Sequence, residues 1–109
     1  MKARVGVVVA ALLSASAAIA DSAVERGKYL AVLGDCAGCH TNGRAPAFSG
    51  GRAFVAGFGI VYSSNITPDA ATGIGGWTSN QFYRAMHEGI AASGKHLYPA
   101  FPYAYFTHV

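Results

Sequence analysis

The stretch Cys36-Ala37-Gly38-Cys39-His40 decides how the rest of this chain is interpreted. Two cysteines separated by two residues, with a histidine directly after the second, form the attachment signature of a c-type haem. Each thiol adds across one vinyl group of the haem, and the histidine is placed beneath the ring as the proximal iron ligand. The sequence therefore predicts one covalently attached haem c, held by Cys36, Cys39 and His40.

Three other uses of these residues fit the surrounding sequence less well. A redox dithiol of the thioredoxin kind opens a helix after a strand in a βαβ unit, and no such pattern precedes Cys36. A closed zinc site needs four Cys or His ligands, whereas His87, His96 and His108 are scattered along the chain. A disulfide between the two cysteines would close a very small, strained loop.

Residues 1–20 have the three regions of a secretory signal peptide. Lys2 and Arg4 give a short positive segment, an apolar run covers 5–13, and small residues lead to Ala18-Ile19-Ala20. A membrane span would need about 20 strongly apolar residues, and this stretch is shorter and rich in Ala and Ser. We expect cleavage at its end and a location in the periplasm, at the membrane surface if the protein joins a complex there.

Residues 21–109 form a single small domain in this interpretation. Without Lys2 and Arg4, six Lys and Arg remain against five Asp and Glu, so the mature net charge is about +1. A nucleic-acid-binding domain would need a clustered basic face, and none is expected. A chain this short and rich in glycine has a thin core, to which a tethered haem would add much of the buried apolar surface.

A first helix is predicted before the haem motif. Asp21 and Ser22 are candidate caps, Glu25 lies in the favourable first turn, and Gly34 is expected to end the helix. Gly27 lies in its middle, where glycine costs about 1 kcal/mol of helix stability. A glycine at such a position often marks the close crossing of a second helix.

A second helix is predicted after Trp77, capped by Thr78 or Ser79, running to about Glu88 and stopped by Gly89. Its apolar face is expected to include Met86, with the charged side chains toward water. Between the two helices, from Thr41 to Thr72, the apolar periodicity disappears. A minimal hairpin around Gly57-Phe58-Gly59 is compatible with the sequence, and the rest of this stretch is expected to wrap the haem.

Five motifs, in this order, resemble the cytochrome c subunits of membrane-bound bacterial dehydrogenases of the alcohol, gluconate and aldehyde or nicotinate types. They are Gly34-Asp35-Cys36-Ala37-Gly38-Cys39-His40, Gly50-Gly51-Arg52, Tyr62-Ser63-Ser64-Asn65-Ile66-Thr67-Pro68-Asp69, Thr72-Gly73-Ile74-Gly75-Gly76-Trp77 and Leu97-Tyr98-Pro99-Ala100-Phe101-Pro102-Tyr103. The resemblance implies a mainly α, class I cytochrome c-like domain with long loops around the haem. It also implies electron transfer from a dehydrogenase partner toward a respiratory acceptor.

The chain departs from these relatives in two places. They continue from the Phe-Thr segment into a C-terminal helix that crosses the first helix near its glycine, which is Gly27 here. The final helix is therefore expected to be missing, and the chain looks like a truncated product or a fragment. Relatives also commonly have Tyr-Pro-Ala-Met-Pro-Tyr with the methionine on the iron, and here Phe101 stands in that position and cannot ligate.

The sixth iron ligand is consequently open to several assignments. Met86 is the only methionine outside the leader and is the first candidate, although a helix methionine is commonly core filling. His96 or His87 would give a bis-histidine iron of lower potential, and an open or water-bound site is the remaining alternative. An open site would permit gas sensing or haem catalysis, and a truncated remnant would have no function.

Two further side chains are predicted to contact the haem propionates. The indole N–H of Trp77 is a suitable donor, although the ring could equally serve as packing at the start of the second helix. The guanidinium of Arg52 can pair with a propionate. Pro46, or another loop carbonyl beyond His40, is expected to accept the free imidazole N–H. No nucleophile–base pair or paired carboxylates occur, so the chain is predicted to be an electron carrier rather than an enzyme by itself.

Overall fold

The computed structural model describes residues 22–100 and 103–107. The predicted signal peptide, the cap at Asp21 and the substituted position Phe101 lie outside the described residues. The chain divides into two units, Met1–Gly38 and Cys39–Val109, which are described separately below. Within the described residues, no helix is long and apolar enough to cross a membrane.

The first unit contains helix α1, which covers residues 22–33. The predicted end of this helix is confirmed, because the Gly34 N–H donates to the Leu30 carbonyl at 2.9 Å as the last helical turn closes. The residue with left-handed backbone is the next one, Asp35, with φ of 48°. Aspartate tolerates this conformation better than most side chains, so Gly34 and Asp35 end the helix together.

Helix α2, Cys36–His40, follows at once and carries the haem motif. Asp35 directly precedes it, and the Gly38 N–H donates to the Asp35 carbonyl at 3.0 Å. A Cβ at Gly38 would lie 2.5 Å from a carboxylate oxygen of Asp35. A glycine inside the motif therefore leaves room for the Asp35 side chain beside the first turn of α2.

Strands β1, Ala53–Ala56, and β2, Gly59–Tyr62, form an antiparallel hairpin. The closing pair Ala56 and Gly59 leaves only Gly57 and Phe58 in the turn, so the hairpin permitted by the sequence is confirmed. Its two faces alternate as a strand requires. Phe54 and Val61 are half-buried, while the paired Val55 and Ile60 are 90% and 56% exposed.

Helix α3, Ser79–Glu88, has the boundaries that the sequence predicts. Thr78 forms a capping box with Gln81: its hydroxyl accepts from the Gln81 N–H at 3.2 Å, and its own N–H donates to the Gln81 side-chain oxygen at 2.8 Å. Gly89 ends the helix in the left-handed conformation, with φ of 67°. Arg84 and Glu88 form an exposed salt bridge of 3.0 Å one turn apart, as expected for the water-facing side.

A one-turn helix α4, Tyr103–Phe106, lies against α3. It is not among the helices that the sequence predicts. Proline favours the first turn of a helix, and Pro102 directly precedes this turn in the sequence. The Thr107 hydroxyl donates to the His87 carbonyl at 3.2 Å, which ties the end of α4 to the end of α3.

Apolar burial is sparse in the part of the chain that the structure describes. Ala85 of α3, with 7% exposure, is its only buried hydrophobic residue. Phe58, Tyr62 and Phe82 are 71%, 63% and 48% exposed. The prediction of a thin core is confirmed for these residues, and the class I cytochrome c fold stays a prediction implied by the resemblance.

Candidate haem-attachment site

Helix α2 places the three motif residues on one side of a single helical turn. Cys36 precedes Cys39 by three positions and His40 by four, the two spacings at which helical side chains are neighbours. Both cysteines are free thiols, Cys36 half-buried and Cys39 exposed. Two free thiols and an imidazole at these spacings in one helix are the donors that two thioether bonds and one axial ligand require.

The imidazole of His40 is held by a backbone acceptor. Its Nδ1 lies 2.7 Å from the Ser64 carbonyl oxygen. A carbonyl has no proton to give, so Nδ1 must carry the hydrogen and donate it. In the neutral ring Nε2 then keeps its lone pair, which is the form of histidine that binds a metal.

The acceptor is therefore a loop carbonyl beyond His40, as expected, but it belongs to Ser64 and not to Pro46. The Pro46 carbonyl instead accepts from the Ser49 N–H at 3.1 Å, inside the loop that follows α2. Sequence reasoning could not single out Ser64, because its contribution is a main-chain oxygen and its side chain carries no signal for this role.

The β1–β2 hairpin positions the Ser64 carbonyl next to the His40 ring. Hydrogen bonding between its two chains continues beyond β1 and β2: the Gly51 N–H donates to the Ser63 carbonyl at 2.8 Å, and the Ser63 N–H donates to the Arg52 carbonyl at 2.9 Å. Two residues after Ser64, the Ile66 N–H donates to the Phe48 carbonyl at 2.9 Å. The segment around Ser64 is thus fixed on both sides by main-chain hydrogen bonds.

The loop from Thr41 to Gly50 is closed by the same kind of contact. The Gly50 N–H donates to the His40 carbonyl at 2.7 Å, and Thr41 and Gly50 form a parallel bridge. The Phe48 N–H donates to the Thr41 hydroxyl at 3.0 Å. Phe48 has a left-handed backbone, with φ of 63°, which is costly for an aromatic residue. Its N–H and carbonyl are both hydrogen-bonded, which holds it there.

The donor set fits a haem better than the alternatives. Within residues 22–100 and 103–107, no three His, Cys, Asp or Glu side chains come together as a metal-binding group. A structural zinc site needs four such ligands, and a haem needs only the two thiols and one imidazole.

Arg52 takes part in the site through its backbone. Its N–H donates to the Ser63 hydroxyl at 3.0 Å, and its carbonyl accepts from the Ser63 N–H. Its guanidinium carbon lies 5.8 Å from the centre of the Phe54 ring, a cation–π distance. The propionate contact of Arg52 stays a prediction. In the structure, Arg52 extends the hairpin through its backbone pairing with Ser63.

Trp77 is half-buried at the start of α3. Its backbone N–H donates to the Ile74 carbonyl at 3.0 Å. Together with neighbouring residues it lines an open groove, whose walls are Ile74, Trp77, Thr78, Ser79 and Phe82. Trp77 thus forms part of the wall of this groove, and its predicted propionate contact stays a prediction.

Met86 is half-buried on α3, next to the buried Ala85. Phe82 lies one turn before it on the same side of the helix. This confirms the predicted apolar position of Met86. Its role as sixth ligand stays a prediction.

The two histidine candidates differ in how they are held. The His87 ring stacks on the Tyr83 ring with centroids 3.9 Å apart, and its Nδ1 lies 3.4 Å from the Thr107 carbonyl oxygen. His96 is exposed and forms a backbone bridge with Ile90. His87 is thus in contact with Tyr83 of α3 and with Thr107 after α4, while His96 is exposed in a β-bridge.

No protein-family model matches the chain. Individual curated proteins are similar to it over most of its length. A nicotinate dehydrogenase subunit of Pseudomonas putida is 54% identical over 86 residues, which are 79% of this chain and 7% of that protein. The fructose dehydrogenase cytochrome subunit of Gluconobacter japonicus is 52% identical over 81 residues, which are 73% of this chain and 17% of that protein.

A third relative, the gluconate 2-dehydrogenase cytochrome c subunit of Pantoea cypripedii, is 44% identical over 89 residues, which are 82% of this chain and 20% of that protein. The chain therefore spans a fifth or less of the length of these three relatives. Over that part, it is a homologue of cytochrome c subunits of bacterial dehydrogenases, which confirms the resemblance predicted from its motifs.

Proposed function

We propose that this chain is a one-electron carrier that binds a single haem c through Cys36 and Cys39, with His40 as the proximal ligand. The observation that carries the proposal is the hydrogen bond between His40 Nδ1 and the Ser64 carbonyl, 2.7 Å long. It sets the tautomer and orientation of the imidazole in a helix that also presents two free thiols. The similarity to cytochrome subunits supports the same chemistry.

A haem bound here would supply reversible one-electron chemistry at its iron. The chain's residues would do the rest. The two cysteines would tether the ring, and His40 would supply Nε2 to its iron. Donation of the Nδ1 proton toward the Ser64 carbonyl increases the electron density on the ring, which favours the oxidised metal.

Met86 is the proposed sixth ligand. Its thioether is half-buried on the apolar side of α3, and a Met/His pair gives a higher potential than two histidines. The contacts of His87 with Tyr83 and Thr107 favour Met86 over that histidine, because a ligand role would require these contacts to break.

Arg52 and Trp77 are proposed to contact the propionates. Arg52 carries a permanent positive charge, and its position against Phe54 leaves it at the edge of the hairpin. The half-buried Trp77 has an indole N–H that needs a hydrogen-bond acceptor once covered. Both roles require the proposed haem, so they would be refuted if the protein binds none.

The proposed partners are a dehydrogenase that gives electrons and a respiratory acceptor that takes them. The relatives that support this proposal are subunits of nicotinate, fructose and gluconate dehydrogenases. The proposed location is the periplasm, reached through a signal peptide at residues 1–20. The location is testable by cell fractionation, and the signal peptide is testable by sequencing the mature N-terminus.

Covalent attachment is tested by expressing the protein for export together with the haem-attachment machinery. The wild type should keep haem stain through denaturing electrophoresis and acid–acetone extraction. Replacement of both Cys36 and Cys39 by Ala should abolish the stain. Ala37→Ser is a matched control inside the same helix, since it changes the motif without removing a thiol, and it should stain like the wild type.

Extraction of the colour from the wild type would refute covalent attachment. Electron transfer needs a second measurement: the loaded protein is mixed with membrane dehydrogenases and their substrates, and reduction is followed by the rise of the ferrous haem bands. A loaded protein that no such enzyme reduces would refute the proposed partner while leaving the cofactor in place.

A further inference from the structure

Gly50 is one of three buried positions among the described residues, with Ala85 and Gly89. A Cβ built on Gly50 would lie 2.5 Å from both the carbon and the oxygen of the Ser64 carbonyl. It would also lie 2.6 Å from the Ser63 carbonyl oxygen. Cβ contacts this short do not occur in folded proteins, and the atoms concerned are backbone, so any side chain at position 50 must displace them.

The displaced carbonyl is the one that accepts the proton of His40. Ser64 oxygen and His40 Nδ1 are 2.7 Å apart, and such a bond weakens steeply when its length or angle changes. On its other side, the Gly50 N–H donates to the His40 carbonyl at 2.7 Å. Gly50 is therefore linked to His40 in two ways. It donates a hydrogen bond to the His40 carbonyl, and it packs against the Ser64 carbonyl that accepts from the His40 ring.

We propose that Gly50 is a positioning residue for His40: its missing side chain lets the Ser64 carbonyl approach and hold the Nδ1 proton, which tunes the iron potential. The inference rests on the proposed function, since it assigns a role toward the same haem. It adds a determinant of the ligand field that lies outside the attachment motif.

The chain offers a matched control in the next residue. Gly50 and Gly51 have nearly equal left-handed backbones, with φ of 74° and 79°. Alanine at either position therefore incurs the same kind of backbone strain. A Cβ on Gly51, however, would meet nothing within 4 Å. Comparing Gly50→Ala with Gly51→Ala thus separates displacement of the Ser64 carbonyl from the general effect of removing a glycine.

Two readouts report on His40 rather than on stability. With ¹⁵N-labelled histidine, the exchange rate of the Nδ1 proton should rise about fivefold in Gly50→Ala, as expected for weakening one hydrogen bond. In the haem-loaded protein, the midpoint potential should rise, because a ring that no longer donates its proton gives less electron density to ferric iron. Gly51→Ala should leave both values close to those of the wild type.

Equal exchange rates and potentials in the two variants would overturn the inference. Failure of the proposed function would appear as loss of covalent haem from the wild type. Failure of this inference would appear as equal values in the two glycine variants of a haem-loaded protein, so the two failures are distinguishable.

A second measurement needs no variant and covers the case in which Gly50→Ala does not fold. Labelling the Ser64 carbonyl with ¹³C and His40 with ¹⁵N should give a coupling across the hydrogen bond in the wild type. Its presence supports the assigned acceptor, and its absence overturns the inference.

Discussion

Replacement of Met86 by leucine separates an iron ligand from a packing residue. Leucine has nearly the same volume and the same helix preference as methionine. A volume-conserving exchange of this kind costs less than about 1.5 kcal/mol at a fully buried site. Met86 is only half-buried, next to Ala85 with its 7% exposure, so the packing cost should be below about 1 kcal/mol.

That cost corresponds to a fall in the melting temperature of at most about 4–8 °C for a domain of this size. The spectroscopic effect should be much larger than this small loss of stability would suggest. Loss of a thioether ligand removes the weak charge-transfer band of ferric iron–methionine bonding at the red end of the visible spectrum. It also lowers the potential and lets cyanide or carbon monoxide bind to the iron.

Phe82→Leu is the control, because Phe82 lies one turn earlier on the same side of α3 and is 48% exposed. It should produce a comparable change in melting temperature and no change in the spectrum or in ligand binding. An unchanged spectrum in Met86→Leu would refute the ligand assignment and leave Met86 as packing. The next candidates would then be His96 and an open sixth position.

Three further outcomes follow from local contacts. Thr78→Ala should remove the capping box of α3 and lower the free energy of unfolding by about 1 kcal/mol, measured by urea denaturation against the neighbouring control Ser79→Ala. Gly89→Ala should cost about 1 kcal/mol in the same assay, because position 89 has a left-handed backbone, and an effect near zero would contradict this reasoning. The N–H and hydroxyl of Thr72, followed by the Ala71 N–H, lower the pKa of Asp69 from its ordinary value of 3.8. The contribution of Asp69 to the free energy of unfolding is therefore present above pH 3.8 and lost as the pH falls through the lower folded-state pKa. Melting of Asp69→Asn should depend less on pH in that window, and an identical acid profile would show that Asp69 does not contribute.

The sequence was sufficient where a feature depends on side-chain type and local spacing. The boundaries of α3 follow from Thr78 and Gly89, residues whose capping preferences are strong. The spacing of Cys36, Cys39 and His40 puts two thiols and an imidazole on one side of a single helical turn, which is the conformation of this segment. The helical spacing of apolar residues likewise predicts Met86 on the apolar face of α3, where it is half-buried.

The sequence was insufficient where a feature depends on main-chain atoms brought together over a distance. The acceptor for His40 lies 24 residues away in Ser64, and any residue has a carbonyl to offer. The left-handed residue after α1 is Asp35, although Gly34 carries the stronger signal for that conformation. Helix α4 depends on contacts with α3, such as the bond from Thr107 to His87, which no local pattern encodes.

The irregular segment between β2 and α3 obtains its shape from short polar contacts and close glycine approaches more than from apolar burial. The Asn65 side-chain oxygen accepts from the Thr67 N–H at 2.9 Å, and its amide donates to the Thr72 hydroxyl at 2.9 Å. A Cβ at Gly73 would lie 2.9 Å from the Asp69 carbonyl oxygen, so glycine permits that turn to close.

Hydrogen bonds of this kind contribute only about 1 kcal/mol each, and several must form together to hold the Ser64 carbonyl at the Nδ1 of His40. A bound haem would gain affinity from each of them, since it selects the arrangement in which His40 Nε2 faces the metal. Haem binding and folding of this segment are therefore expected to be linked. A change that loosens the segment anywhere, even far from the cysteines, should appear first in the properties of the iron.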